Sequence, residues 1–169
     1  MLDRDALGQL YREAYPTLRV IAAAEVGQAA ADDVVQQAAI AAMERIERFD
    51  PGSNFKAWMA SFVRNVARNH RRAEHRRTAR DRKAGAGRAE AEIEPTPPTD
   101  PFDRSLQLAL NQLSAEHRTC FLLRTVTDHS YQEIAAVLDI PESTARSHVY
   151  RARRRLAESL SSDPAGASS

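Results

Sequence analysis

The stretch SYQEIAAVLDIPESTARSHVYRARRRL, residues 130–156, constrains this chain more than any other, because it reads as two short helices separated by a tight break. Ser130 and Glu133 stand in the S-x-x-E spacing of a capping box, where hydroxyl and carboxylate each satisfy an orphan backbone N–H. A helix is therefore predicted from Tyr131, with Ile134, Ala135 and Leu138 recurring at helical spacing. Asp139, Ile140 and Pro141 interrupt it, leaving one apolar residue to tuck between two helices. Beyond the break, Ala145, Val149, Ala152 and Leu156 repeat at i, i+4, i+7 and i+11, a narrow stripe that must face a core. The opposite face holds Thr144, Ser147, His148, Arg151 and Arg154, flanked by Ser143, Arg146, Arg153 and Arg155. Arginine can bind a phosphate or read guanine through a two-pronged contact, and hydroxyls serve either partner. An arginine-rich face can also be merely solvated. Here a short turn, small inward residues and a basic outward face coincide, as they do in a helix-turn-helix whose second helix enters the major groove.

Charge is informative through its distribution rather than its sum. The 169 residues carry a formal net charge of only +1. Up to Asp50 the acidic residues outnumber the arginines, whereas residues 56–88 carry many Lys and Arg against only Glu74 and Asp81. Such segregation predicts separate surfaces for separate partners. Cys120 is the sole cysteine. It excludes an intramolecular disulfide, suits a reducing compartment, and sits in an apolar run as a small core residue. No stretch approaches the length of a membrane span and the start lacks a basic-then-apolar signal, so a cytoplasmic protein is expected. The histidines, His70, His75, His117, His129 and His148, lack tight ligand spacing, and no metal or cofactor is expected.

The rest of the chain reads as helices. A first helical region is predicted over residues 5–25, kinked or split at Pro16 and closed by Gly27. A second is predicted from Asp32, as its cap, to Arg48 through Val34, Val35, Ala38, Ile40, Ala41, Met43 and Ile46. A turn over Phe49, Asp50, Pro51, Gly52 and Ser53 leads to a third helix, extending to about Arg72 or beyond, with Phe55, Trp58, Met59, Phe62, Val63 and Val66 on its buried side. Residues 76–94 are charged and small and cannot build a core; Pro95, Pro97, Pro98 and Pro101 then stiffen what reads as a flexible linker. Helices resume with Leu106, Ala109, Leu110 and Leu113, then from Ser114, as a cap, through Arg118, Phe121, Leu122 and Val126. With the helix-turn-helix they make a four-helix unit that a single core can support. The expected fold is all-α: a helical bundle over 5–75, a flexible linker over 76–103, a four-helix unit over 104–160 and a disordered tail over 161–169.

Two blocks, DDVVQQAAIAAMERIERFDPGSNFKAWMASFVRNVARNHRR and LSAEHRTCFLLRTVTDHSYQEIAAVLDIPESTARSHVYRARRRL, resemble in this order the ECF (extracytoplasmic function) sigma factors of bacterial RNA polymerase. The resemblance runs from about Leu10 to Leu156, excluding the linker. It implies a region 2 domain that binds core polymerase and melts the −10 element, and a region 4 domain that reads the −35 element. It further implies promoter DNA and the clamp and flap regions of core polymerase as partners, and it admits an anti-sigma factor as another.

By that resemblance Asp33, Val34, Val35 and Gln36 match the clamp-binding helix, with Gln37 where the family usually has glutamate. An acidic-to-neutral face there suits docking on a basic coiled coil. Residues 49–55, including Asp50, Ser53 and Asn54, match the loop that pockets a base flipped from the −10 element, and Asn65 matches a residue that helps read it. Turn residues can offer backbone groups to a base edge, and Arg64, Asn65, Arg68, Asn69 and Arg72 line one side of the following helix to hold the displaced strand. Phe55 and Trp58, at helical spacing with Phe62, are assigned to the core rather than to base stacking. In the second block Ser143, Ala145 and His148 replace the family's usual glycine, valine and arginine. His148 thereby puts a mostly neutral group where a cation usually stands.

A different class of function remains open to the sequence: a stand-alone helix-turn-helix regulator with an N-terminal sensor or dimerisation domain, which predicts dimers and a palindromic operator. An enzyme has little support, because no nucleophile–base pair, phosphate-cradling glycine loop or metal cluster stands out.

Overall fold

The structure, a computed structural model, describes residues 4–83 and 101–161. The linker prolines before Pro101 and the tail beyond Ser161 lie outside the described residues. Within them the secondary structure is helical, with no strand. No described helix is long and apolar enough to cross a membrane.

The first body consists of α1 (Arg4–Val26), α2 (Gln28–Met43) and α3 (Phe55–Lys83). Pro16 does not split α1. It is exposed, while Ala14, Leu18 and Ile21 on the opposite side are fully buried, so core packing carries the helix through the missing N–H. Gly27, at φ 85, ends α1 and immediately starts α2, a backbone conformation available to glycine at little cost. Consequently α2 begins earlier than the predicted cap at Asp32. That carboxylate instead accepts from Tyr15 Oη at 2.7 Å and Arg19 Nε at 3.0 Å, tying α2 to α1. The helix ends at Met43, and a 3-10 turn over Ile46–Arg48 redirects the chain so that Phe49 points inward. There Phe49 meets Phe55 edge-on at 5.4 Å and Trp58 at 5.0 Å, and Trp58 meets Phe62 at 4.9 Å. Phe49 and Phe55 are buried, and Trp58 and Phe62 pack half-buried against that core, the side on which the spacing predicts them.

Leu18, Ile21, Val34, Val35, Met59 and Val63 are fully buried between the three helices. Each large side chain withdrawn from water contributes about 1.5–3 kcal/mol before entropy is counted. Beyond Ala67 the buried stripe of α3 stops, yet the helix runs on to Lys83, into the stretch expected to be linker.

The second body is α4 (Pro101–Asn111), α5 (Ala115–Thr125), α6 (Tyr131–Leu138) and α7 (Glu142–Ser161). Both predicted caps form: Ser114 Oγ accepts from His117 N, and the Ser130/Glu133 box closes in both directions, at 2.7 and 3.2 Å. Asp139 then takes a left-handed conformation at φ 55, turning the chain into α7. Ala109, Leu113, Ala152 and Leu156 form a small core between α4 and α7.

Sequence patterning suggested two loosely tethered bodies, but the described residues pack as one. Cys120, Leu123, Ile134, Val137, Leu138, Ala145 and Val149 share a continuous apolar cluster with the core of α1–α3. Polar ties cross the same junction: Arg118 Nε donates to Ala24 O at 2.7 Å, Arg64 donates to Leu138 O, and Thr17 Oγ1 lies 3.3 Å from His129 Nε2. Neither body had shown, as a pattern along the chain, that its flank was apolar enough to meet the other.

Candidate nucleic-acid and polymerase interfaces

On α7 the apolar stripe behaves as predicted, with Ala145, Val149, Ala152 and Leu156 all buried. Ser143, Arg146, Arg151, Arg153, Arg154 and Arg155 are exposed, and Thr144 and Ser147 are half-buried. Two of the arginines are steadied by neighbours one turn away: Arg146 pairs with Glu142 at 2.9 Å and Arg154 with Glu158 at 2.8 Å. Arg146 also lies over the Tyr131 ring, 4.9 Å from its centroid, a cation–π contact that links α7 to the first helix of the motif. Exposed ion pairs of this kind are worth little in stability. They pre-position guanidiniums that can exchange a carboxylate for a phosphate.

His148 departs from the reading row. Its half-buried ring packs against His117 of α5, 4.8 Å between centroids with the planes tilted by 54°, and Nδ1 of both rings is buried without a hydrogen-bond partner. Tyr150, 67% exposed among the arginines, joins this face, although an aromatic residue alone does not mark a surface position. Its position, off the stripe and one turn from Arg146 and Arg154, was the available signal.

On α3, Asn65, Arg68, Asn69 and Arg72 are exposed along one side. Arg64 is half-buried instead and spends its guanidinium on Leu138 O, so the structure separates it from its predicted row. The loop before α3 is held by its own polar groups. Gly52 N donates to Asp50 Oδ1 at 3.0 Å, Ser53 Oγ donates to Asp50 O at 2.7 Å, and Asn54 Oδ1 caps α3 by accepting from Ala57 N at 3.1 Å. Exposed on top of a buried aromatic cluster, this loop is a rigid polar rim.

On α2, Asp33, Gln36 and Gln37 are exposed side by side, while Val34 and Val35 are fully buried. Val34 is therefore withdrawn from the predicted docking set: helical periodicity turns it to the core between α1 and α3. Ile40, 59% exposed, and Met43 continue the exposed face, apolar positions that hydropathy alone does not distinguish from core. Together they make an exposed acidic-to-apolar face.

Among the described residues no group of His, Cys, Asp and Glu could hold a metal ion. Cys120 is buried, and its thiol is pushed up to about 12 chiefly by burial, with Glu116 adding to it.

Comparison with known proteins gives these surfaces a context. The Sigma-70 region 2 family model matches residues 10–77, and the Sigma-70, region 4 model matches residues 103–156. The chain is 32% identical over 162 residues to the ECF RNA polymerase sigma factor EcfG of Rhodopseudomonas palustris, covering 95% of this chain and 88% of the relative. It is 32% identical over 140 residues to the RNA polymerase sigma-H factor of Pseudomonas aeruginosa, covering 77% and 72% respectively. Among solved structures it is similar to the sigma factor RpoE of Bartonella quintana, in complex with the anti-sigma factor NepR. That likeness has a TM-score of 0.68 and 30% identity, over 93% of this chain and 98% of the other. CnrH, in complex with the cytosolic domain of CnrY, gives a TM-score of 0.63 at 25% identity, covering 95% and 91%. Matches in order over both halves do not favour a stand-alone regulator.

Proposed function

The chain belongs to the ECF sigma factors of bacterial RNA polymerase, proteins that direct transcription initiation, and from that premise we propose how its surfaces divide the work. The face of α2 formed by Asp33, Gln36 and Gln37, extended by Ile40 and Met43, docks on the polymerase clamp. The rim of Asp50, Ser53 and Asn54 receives a base extruded from the −10 element. Asn65, Arg68, Asn69 and Arg72, joined by Arg64 once it is released from Leu138, hold the displaced strand. On α7, Ser143, Thr144, Arg146, Ser147, Arg151 and Arg154 meet the −35 element in the major groove, beside Tyr150. His148 contributes less to that contact than an arginine would.

The observation that carries this reading is that two arginine-bearing rows, interleaved with amides on α3 and with hydroxyls on α7, stand on the outer faces of helices whose opposite faces are buried in the core. The protein acts through binding rather than chemistry of its own, and it works in the cytoplasm where promoters are. With a net charge of +1 it binds duplex weakly alone, since phosphate neutralisation supplies most non-specific affinity. Specificity emerges in the holoenzyme. An anti-sigma protein is proposed as its inhibitor, by likeness to the Bartonella relative.

Run-off transcription with core polymerase tests the division. Arg151→Ala is expected to cost about 1–3 kcal/mol of promoter affinity and to relax preference at one −35 position. Asn65→Ala should instead reduce open-complex formation and leave −35 preference intact. Full activity of both variants would overturn the assignment.

A further inference from the structure

The outer turns of α3 carry cations that capture of the −10 element leaves unused. Arg68, Arg72, Arg76 and Arg80 follow one another at intervals of four, a ladder along one ridge of the helix, and all four are exposed. No acidic residue stands three or four positions from any of them, so their neighbours along the helix surface are neutral or basic. Among the described residues no carboxylate pairs with any of the four. The arginines beside the ladder are matched instead: Arg71 pairs with Glu25 at 2.8 Å, and Arg77 with Glu74 at 3.2 Å. Glu74 and Asp81, seven residues apart, share the side of the helix turned from the ladder.

Within the chain this arrangement is unfavourable. Like charges at i, i+4 repel one another, and the buried stripe that could offset the repulsion ends at Ala67. The ladder does not serve the junction either. The flank of α3 that borders the groove toward α4 and α5 is formed by His70, Arg71, Glu74, His75 and Thr78, and the ladder lies outside it. A regular row of unpaired guanidiniums is complementary to a regular row of anions. Its composition also changes along the helix. From Asn65 to Arg72 amides alternate with arginines, whereas beyond Arg72 the amides stop and the cations continue, the make-up of a phosphate contact rather than of a base contact. Arg80 lies beyond the residues matched to region 2.

We propose that Arg76 and Arg80, continuing from Arg68 and Arg72, form a track for the phosphates of duplex promoter DNA between the −35 and −10 elements. The track rests on the reading that places the −10 element against Asn65 and its row, and it gives the outer turns of α3 a ligand of their own. Because one chain meets both elements, the duplex joining them passes over its surface. From Arg72 to Arg80 the helix rises about 12 Å, enough to follow about three base pairs of one strand. Contact of this kind is electrostatic and independent of sequence, so it strengthens promoter binding without choosing the promoter.

Holoenzyme assembled from core polymerase and the full chain tests it, on a promoter fragment that the wild type transcribes. Arg76→Ala/Arg80→Ala should bind core polymerase as the wild type does, bind the promoter more weakly, and flatten the slope of log K against log salt by about two. Arg76→Lys/Arg80→Lys should restore the slope, and Arg77→Ala, off the ladder, should leave it at the wild-type value. Uncharged methylphosphonate linkages in the spacer next to the −10 element should abolish the difference between wild type and the alanine variant, while a scrambled spacer sequence should preserve it. An unchanged slope, a deficit that persists on the methylphosphonate spacer, or weakened binding to core polymerase would overturn the track, the last result assigning the ladder to a protein partner. The two readings fail separately. An inert Asn65→Ala beside a flattened slope in the ladder variant would sink the −10 assignment alone, and the reverse pattern would sink the track alone.

Discussion

The two bodies reach stability by different routes. In the first, Leu18, Ile21, Met59, Val34, Val35 and Val63 fill a three-helix core, and four aromatics seal one end. In the second, the stripe of α7 is thin, with alanine, Ala145 and Ala152, at two of its four buried positions. Its other three helices are short, and they lean on two serine caps and on apolar cover from α1 and α3. Short helices are marginal without tertiary cover. A reading head made this way is more dependent on where it is docked than the body that carries the loop.

The largest effect expected of that contrast comes from cutting each core. Leu18→Ala and Leu123→Ala both delete a fully buried side chain and should cost about 2–5 kcal/mol in denaturant unfolding. The contrast is sharpened if Leu18→Ala lowers stability of the whole chain while Leu123→Ala also loosens the junction; equal and purely global effects would break it. Next, Ser130→Ala removes the hydroxyl arm of the capping box, leaving Glu133 on the backbone N–H, and should cost about 1 kcal/mol, concentrated in hydrogen exchange of α6 and α7. Uniform exchange across the chain would argue that the second body is not held by its caps.

A smaller effect concerns pH. The folded His117 value is depressed, so the unfolded chain takes up its proton first as pH falls. Stability from this group is therefore present above about pH 6.5 and declines below it. A thermal-unfolding series with His117→Gln should show a flatter acid limb than wild type. Last, the Cys120 thiol, pushed up to about 12, should react with a thiol reagent only at the rate at which the junction opens. Immediate labelling at neutral pH would show that the seam is looser than the packing implies.

Much of this was written locally in the chain. The capping box, the Asp139 break and the α7 stripe are signals confined to a few residues each, and all three formed as read. What escaped depended on partners distant in sequence. Asp32 looked like a cap but is held by Tyr15 and Arg19, and Gly27 starts α2 in its place. Val34 and Gln36, alike in motif, were split by the core between α1 and α3. Arg64 and His148 looked like members of polar rows until the opposite body supplied a carbonyl for one and a cavity for the other. Periodicity reports which face is apolar, and it is silent on what will lie against it.

The length of α3 carries a mechanical implication. Its 29 residues make a rod of about 43 Å whose buried stripe ends at Ala67, with the Arg71–Glu25 pair at 2.8 Å a further tie beyond it. The outer part is a lever arm continuous with the row of Asn65, Arg68, Asn69 and Arg72. Torque applied to the outer turns of α3 is thus felt directly at that row, with the Arg71–Glu25 pair as its fulcrum against α1.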